Sequence, residues 1–374
     1  MAKPGSPEDA YSAAGVRYAT LDPGKQRAQQ AAAGTASALE ARGLRELTES
    51  RGESAYAVDL GDRYLTTVTE ALGTKNLVAD AVRSLTGRTH YDAIARDTVA
   101  TILNDLCTLG GAPATITAYW AAGDSDWFAD QQRFGDLVDG WAAACAEAGC
   151  SWGGGETQVL RGIVEPRAVV LGGSAVGFVQ PKSKLLLGRR IGPGDAILIA
   201  PATGIHANGL TLARKIADEL PHGYATPVPG DERGRGYGEV LLDATPLYGP
   251  LLEALQDGGV DVHYAVHVTG HGWRKLMRAT QALTYVIEKL PPVPPIFGVL
   301  TARAGIGREE AYGTFNMGAG FAFFVGSADA ARALEVAQAR GSELLLAGHV
   351  ESGEKCVRIL PLDLTFAGDS LAIR

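Results

Sequence analysis

Cross-linking chemistry is scarce in this chain. Its 374 residues include four cysteines and three methionines. Cys107, Cys145, Cys150 and Cys356 show neither CxxC spacing nor the density of a disulfide scaffold. That excludes a zinc ribbon and a cross-linked secreted module, and predicts reduced thiols in the cytoplasm. Basic charge is also short: 34 Lys and Arg against 42 Asp and Glu give a net charge of −8, which argues against a nucleic-acid partner. Long apolar runs are missing. The longest, Ala168–Val179, is broken by Gly172-Gly173 and falls short of the roughly 18 residues that span a bilayer. The opening MAKPGSPEDAYSAAG lacks the apolar core of a signal peptide, so no membrane partner is expected. Neither a Walker A loop nor a GxGxxG after a strand occurs, which leaves P-loop and Rossmann chemistry without support.

Glycine, by contrast, is abundant at 48 residues, well above the usual level of roughly 7%. Without a collagen period the excess belongs to turns and backbone-lined sites. The pattern predicts a helix within Lys25–Glu49 and no strand before residue 50. A hairpin over Ala55–Glu70 around Gly61-Asp62 follows, then a helix over Tyr91–Leu109, a strand over Ala114–Trp120 and a helix over Phe134–Ala148. Ala168–Val179 reads as strand. A turn-rich stretch ending at Gly194 suggests a junction, hence domains 1–185 and 186–374. The second half reads strand Ala196–Ala200, helix Asn208–Leu220, helix Leu247–Leu255, helix Trp273–Ala279 and strand Ala282–Ile287. It closes with strand Gly318–Val325, helix Ala328–Arg340 and strand Leu344–Val350. Such alternation predicts an α/β (α+β) protein. The polar, Gly/Pro-rich run Gly223–Gly238 reads as a mobile insertion.

Four segments concentrate chemistry. Thr69–Lys75 places Glu70, Gly73, Thr74 and Lys75 at a strand end, where a carboxylate and a cation can hold metal and phosphate together; the alternative is a hairpin exit with a solvated lysine. In Asp97–Leu106, Asp97 and Asp105 fall on one side of a helix otherwise apolar, with Asn104 beside them. Buried carboxylates of this kind are paired or bound to metal; the alternative is a solvated acidic face. Trp152–Thr157 lets backbone at Gly154 and Gly155 approach a ligand and presents Glu156, or is an ordinary surface turn. Finally, strand Ala196–Ala200 leads through Gly204 and His206 to Asn208, read as a helix N-cap, and so to an anion site. There His206 either sits at the mouth of that site or lies on a surface loop. Thr269, ahead of a second helix start, and Asn316, in a polar pair beside glycines, complete the set. Phe315 and Met317 read as core.

Taken in order, these pieces resemble the AIR synthetase family (phosphoribosylformylglycinamidine cyclo-ligase). The matching stretches are YSAAGV at Tyr11–Val16, GTK at Gly73–Lys75, RDTVATILNDLCTLGGAP at Arg96–Pro113 and GCSWGGGET at Gly149–Thr157. They continue with GIHANGLTLARKI at Gly204–Ile216, LLDATPLY at Leu241–Tyr248, HVTGHG at His267–Gly272 and TFNMGAG at Thr314–Gly320. The resemblance implies a two-domain subunit whose N-terminal sheet forms a barrel with a second copy at a homodimer interface, above a C-terminal α+β layer. It implies ATP and Mg²⁺ in a cleft, and closure of formylglycinamidine ribonucleotide to aminoimidazole ribonucleotide through an iminophosphate, with ADP and phosphate released. On that basis Glu70, Asp97, Asp105 and Glu156 are expected to hold metal, and Gly73, Thr74, Lys75, Asn104, Gly154 and Gly155 to bind ATP. Gly204, His206, Asn208, Thr269 and Asn316 are expected to bind substrate, with Lys75 and His206 catalytic. Three departures stand out: Glu70-Ala71-Leu72 where the family has Asp-Gly-Val, Gln158–Arg161 where it has Ala-Glu-Met-Pro, and His271 in place of a glycine. They leave open a paralogue phosphorylating another amide or hydroxyl, or a non-catalytic nucleotide-binding subunit.

Overall fold

The structure, a computed structural model, describes residues 18–371; the YSAAGV motif at Tyr11–Val16 lies outside the described residues. A six-stranded sheet uses β1 (Arg45–Glu46), β2 (Tyr56–Asp59), β3 (Tyr64–Ala71), β4 (Ala112–Ala122), β5 (Ser151–Val159) and β6 (Val169–Val179) in the order β1-β2-β3-β6-β4-β5. All its pairings are antiparallel except β4 with β5. The β2–β3 turn uses Gly61 at φ 99°, a left-handed conformation that glycine adopts without steric cost. Helices α1 (Tyr18–Ala33), α2 (Lys75–Thr86), α3 (Tyr91–Cys107) and α4 (Gln131–Glu147) belong to this half. Most of α3 is buried, since it lies between β3 and β6 on one side and α4 on the other. That is why its sequence is apolar beyond a single stripe.

The second sheet contains β7 (Ala196–Pro201), β8 (Val262–His267), β9 (Leu283–Ile287), β10 (Ala319–Val325), β11 (Leu345–Ser352), β12 (Cys356–Ile359) and β13 (Leu364–Ala367). Its order is β13-β12-β9-β11-β7-β10-β8. Side chains alternate faces along a strand, and β10 shows both faces covered. Phe321, Phe323 and Val325 pack with Leu251 and Ala333, while Ala322 and Phe324 pack in the other core with Ile216 and Phe297. Such two-sided burial requires the continuous apolar run AGFAFFV. The covering helices are α5 (Leu210–Glu219), α6 (Gly249–Asp257), α7 (Ile296–Ala304), α8 (Arg308–Thr314) and α9 (Ala330–Ala339).

Several local expectations need correction. The expected helix within Lys25–Glu49 ends at Ala33, and a short strand, β1, follows at Arg45–Glu46. Trp152–Thr157 is extended strand, not turn, because β5 runs parallel to β4. A Cβ on Gly155 would lie 2.0 Å from the Ala118 carbonyl oxygen, so its missing side chain serves strand packing. Asn208 does not cap α5: Gly209, at φ 91°, holds that position. The 223–238 stretch is pinned by Arg235, which pairs with Asp231 and Asp243. Gly238 packs so closely on Val82 that a Cβ would come within 2.3 Å of it.

Candidate functional site

The segment Leu241–Tyr248 runs along α3 and joins the two halves. Two buried polar residues of α3 receive its backbone. Asp97 Oδ1 accepts from Thr245 N at 2.7 Å and Thr245 Oγ1 at 2.6 Å. Asn104 Nδ2 donates to the Pro246 carbonyl at 2.9 Å, and its Oδ1 accepts from Tyr248 N at 2.8 Å. Lys75, at the start of α2, closes the arrangement. Its Nζ lies 2.6 Å from Asp97 Oδ2 and donates to the Asp243 carbonyl at 2.9 Å, with both side chains wholly buried. Lys75, Asp97 and Asn104 are thus engaged with protein and do not line the cavity described next.

That cavity, of about 410 Å³, opens where the halves meet. From the first half come Glu70 at the end of β3, and Asp105 and Thr101 on α3. The second half supplies His206, Asn208, His267, Thr269, His271 and Lys275. Asp105 and His267 touch across the junction, Oδ1 to Nδ1, at 2.7 Å. Burial works to raise the Asp105 carboxyl, but the His267 hydrogen bond and the Lys275 and Arg278 charges outweigh it and hold the group below its ordinary value. Glu70 moves the other way: desolvation, then repulsion from Asp105, pushes it up to about 7. Two neighbouring carboxylates thus differ in kind: one is held readily ionised by its partners, and burial makes the other harder to ionise.

His206 is equally constrained. It sits in the left-handed region at φ 58°, and its Nε2 accepts from the Thr203 backbone N–H at 3.3 Å. The proton of the neutral ring therefore belongs on Nδ1, which is buried and has no hydrogen-bond partner. Burial, with His267 and Lys75 nearby, drives its pKa well below the ordinary value. The Nε2 of His267 is likewise buried and unpartnered. Two unsatisfied imidazole nitrogens in a cavity wall are suited to a polar ligand, since leaving such atoms dry costs free energy. The loop carrying His206 is held by Asn316, whose Nδ2 donates to the Gly204 carbonyl at 2.9 Å while Oδ1 accepts from Gly318 N at 3.0 Å. Asn208 donates to the Thr314 carbonyl at 3.0 Å. Phe315 and Met317 are buried between these anchors.

The four carboxylates expected to share a metal are not brought together. Asp97 is in the Lys75 pair, and Glu156 lies on exposed β5, facing a second hollow of about 720 Å³ on the sheet face with Gly155 and Ser174. Glu70 lines both spaces. Among the described residues no group of three His, Cys, Asp or Glu converges tightly enough to hold a metal. The pair that remains, Glu70 and Asp105, suits a hard cation that keeps waters and takes further oxygens from a phosphorylated ligand. Gly73 and Thr74 shape the entry to α2, Gly73 at φ 78°, with the Thr74 hydroxyl buried and unpartnered. Lys275 and Arg278 were missed in the sequence. Both lie in or just after a short 3₁₀ turn over Gly272–Met277, where a helix over Trp273–Ala279 was expected.

A two-sheet α/β protein with a charged, polar cavity at the meeting of its halves is the class that fold and site define. Known proteins narrow it. The sequence profile of the AIR synthase related protein N-terminal domain matches residues 52–179, and that of the C-terminal domain matches residues 192–360. Curated relatives named phosphoribosylformylglycinamidine cyclo-ligase include that of Anaeromyxobacter sp. (strain Fw109-5), 35% identical over 76% of this chain and 80% of that protein. The Pyrococcus furiosus protein is 35% identical, covering 76% and 79%, and that of Carboxydothermus hydrogenoformans 33%, covering 81% and 86%. The chain belongs to the AIR synthase related family. Among solved structures, one in the HypE–HypF complex aligns with TM-score 0.59 at 19% identity, over 84% of this chain and 92% of that one. Thiamine-monophosphate kinase from Stenotrophomonas maltophilia K279a aligns with TM-score 0.56 at 18%, over 81% and 88%. Both share the fold. Among the described residues no helix is long and apolar enough to cross a membrane.

Proposed function

We propose that this chain is an ATP-dependent cyclo-ligase that closes formylglycinamidine ribonucleotide to aminoimidazole ribonucleotide, releasing ADP and phosphate in purine synthesis. The observation that carries the reading is the cavity in which Glu70 and Asp105 meet His206, Asn208 and His267 from the other half. An amide oxygen is a poor leaving group, and its phosphorylation makes it a good one; the protein's part is positioning and charge stabilisation. Glu70 and Asp105 would hold Mg²⁺, which when bound neutralises charge on phosphate oxygens. His267 keeps Asp105 oriented. The neutral His206 offers its Nδ1–H to a ligand oxygen, which favours hydrogen bonding over proton uptake. Asn208, Thr269 and the Gly204 loop held by Asn316 would receive the ribonucleotide, and Glu156, Gly154 and Gly155 the outer part of the nucleotide. In this reading Lys75, Asp97 and Asn104 act by positioning the two halves. The exposed sheet face, with Tyr119, Val159 and Val170 partly open, would pair with a second copy to complete a barrel, checked by mass in solution.

The test is phosphate release from Mg-ATP with and without formylglycinamidine ribonucleotide, together with an assay for the aminoimidazole product. Stimulated turnover with equimolar imidazole is expected; nucleotide binding without that product refutes the substrate assignment. One observation favours a second reading, phosphorylation of another amide or hydroxyl: Glu70, Ala71 and His271, all departures from the family pattern, line this same cavity.

A further inference from the structure

We propose that Lys275 is the cation that grips the phosphoryl group of the ligand in this cavity, the part the sequence motif assigns to Lys75. The inference rests on the phosphoryl-transfer reading above and adds the residue that meets the anion. Lys75 is wholly buried against Asp97 and the Asp243 carbonyl, so its charge is already matched. Lys275 lines the cavity. An ammonium carries three donors. One of those on Lys275 goes to Thr269 Oγ1 and one, at 3.4 Å, to the His267 carbonyl; the third has no partner among the described residues.

Charge points the same way. Glu70 and Asp105 both act on Lys275 at a distance, yet among the described residues no carboxylate forms an ion pair with it. A desolvated cation without a contacting anion is costly, and the cost is removed when an anion arrives. Burial accordingly draws the Lys275 amine down to about 8. Arg278, the neighbouring cation, is engaged elsewhere: its Nε donates to the Gly52 carbonyl at 3.0 Å and its Nη1 to Ser54 Oγ at 2.7 Å. A compact ammonium facing two carboxylates fits a phosphoryl oxygen shared with a metal, the arrangement phosphoryl transfer requires.

The experiment is calorimetric titration of ATP and of pyrophosphate, each with and without Mg²⁺, into the full chain and its Lys275→Met, Lys275→Gln and Lys275→Arg variants. Wild type is expected to bind. The two neutral variants should weaken binding by about 10- to 100-fold, the size of a lost charge-assisted hydrogen bond, and Lys275→Arg should recover part of it. Melting temperature of the neutral variants should hold or rise, since a buried charge is removed. Lys275→Gln retains a donor for Thr269, so either neutral variant carries the comparison if the other fails to fold. Equal affinity within twofold, or a wild type that binds neither ligand, overturns the proposal. Lys275-dependent binding without imidazole product would overturn only the cyclo-ligase reading.

Discussion

Replacing Asp97 with Asn tests whether that residue fastens the two halves or holds metal. The amide keeps the volume and can still accept from Thr245 N and Oγ1, but it leaves the Lys75 ammonium with only the Asp243 carbonyl. Both side chains are wholly buried, and breaking a buried pair on one side costs about 3–5 kcal/mol because the remaining charge has no partner. With a urea dependence of about 2–3 kcal/mol per molar, the unfolding midpoint should fall by roughly 1–2 M. Lys75→Met should cost a similar amount from the other side. The double variant Lys75→Met/Asp97→Asn should cost less than the sum, since it leaves no orphaned charge. Far-UV circular dichroism follows the whole chain, while fluorescence reports mainly on Trp120, Trp127, Trp141 and Trp152 in the first half; Trp273 alone lies in the second. A midpoint shift below about 0.3 M, or a loss of Mg²⁺ affinity at unchanged stability, refutes the fastening role and returns Asp97 to the metal.

Glu70 gives a pH signature. Its folded value of about 7 exceeds the ordinary 4.5, so the folded state binds more protons between those values and stability falls as pH rises through that window. Glu70→Gln should therefore match wild type in melting temperature near pH 4.5 and exceed it above pH 7; a gap that does not widen with pH refutes the assignment. His271 holds φ 68° in the cavity wall, a conformation costing a side-chain-bearing residue about 1–2 kcal/mol. After glycine's own entropic cost of roughly 0.5–1 kcal/mol, His271→Gly should stabilise the chain by about 1 kcal/mol or less and shift KM for the nucleotide or its acceptor; unchanged KM for both would confine His271 to structure. Arg235→Ala should loosen the 223–238 stretch and raise its cleavage by a low concentration of thermolysin on the order of five-fold; an unchanged rate would mean that the Asp231 and Asp243 pairs do not hold it.

Fold was more legible than local detail. The hairpin of β2 and β3, helix α3 and the buried strands β7 and β10 announce themselves because burial on one or both faces leaves a clear period or an unbroken apolar run. Helix α2 is less visible: it begins inside the GTK motif, where Lys75 looks like a site residue, not the first residue of a helix. The glycines of β5 signal a turn by composition, yet their lack of Cβ is spent on close approach to β4. Single-sequence patterns do not distinguish those uses, since both require the same missing atom.

The same ambiguity explains which of the expected site residues line the cavity and which are engaged within the protein. A polar side chain in an apolar helix must find a partner, and the sequence cannot say whether that partner is a ligand or the protein's own backbone. In α3 the partners are all protein, but of two kinds. Asp97 and Asn104 meet the Leu241–Tyr248 backbone, whereas Asp105, one residue past Asn104, meets His267 at the cavity wall. One residue along a helix is a turn of about 100°, enough to pass from the seam between the halves to the open space beside it. The lysines divide in the same way. Lys75 arrives in a conspicuous motif and is neutralised by protein; Lys275 sits in an undistinguished turn and lines the cavity with no carboxylate in ion-pair contact among the described residues. What separates a ligand-binding charge from a fastening one is whether folding already satisfies it, and that is a property of the tertiary contacts, not of the motif.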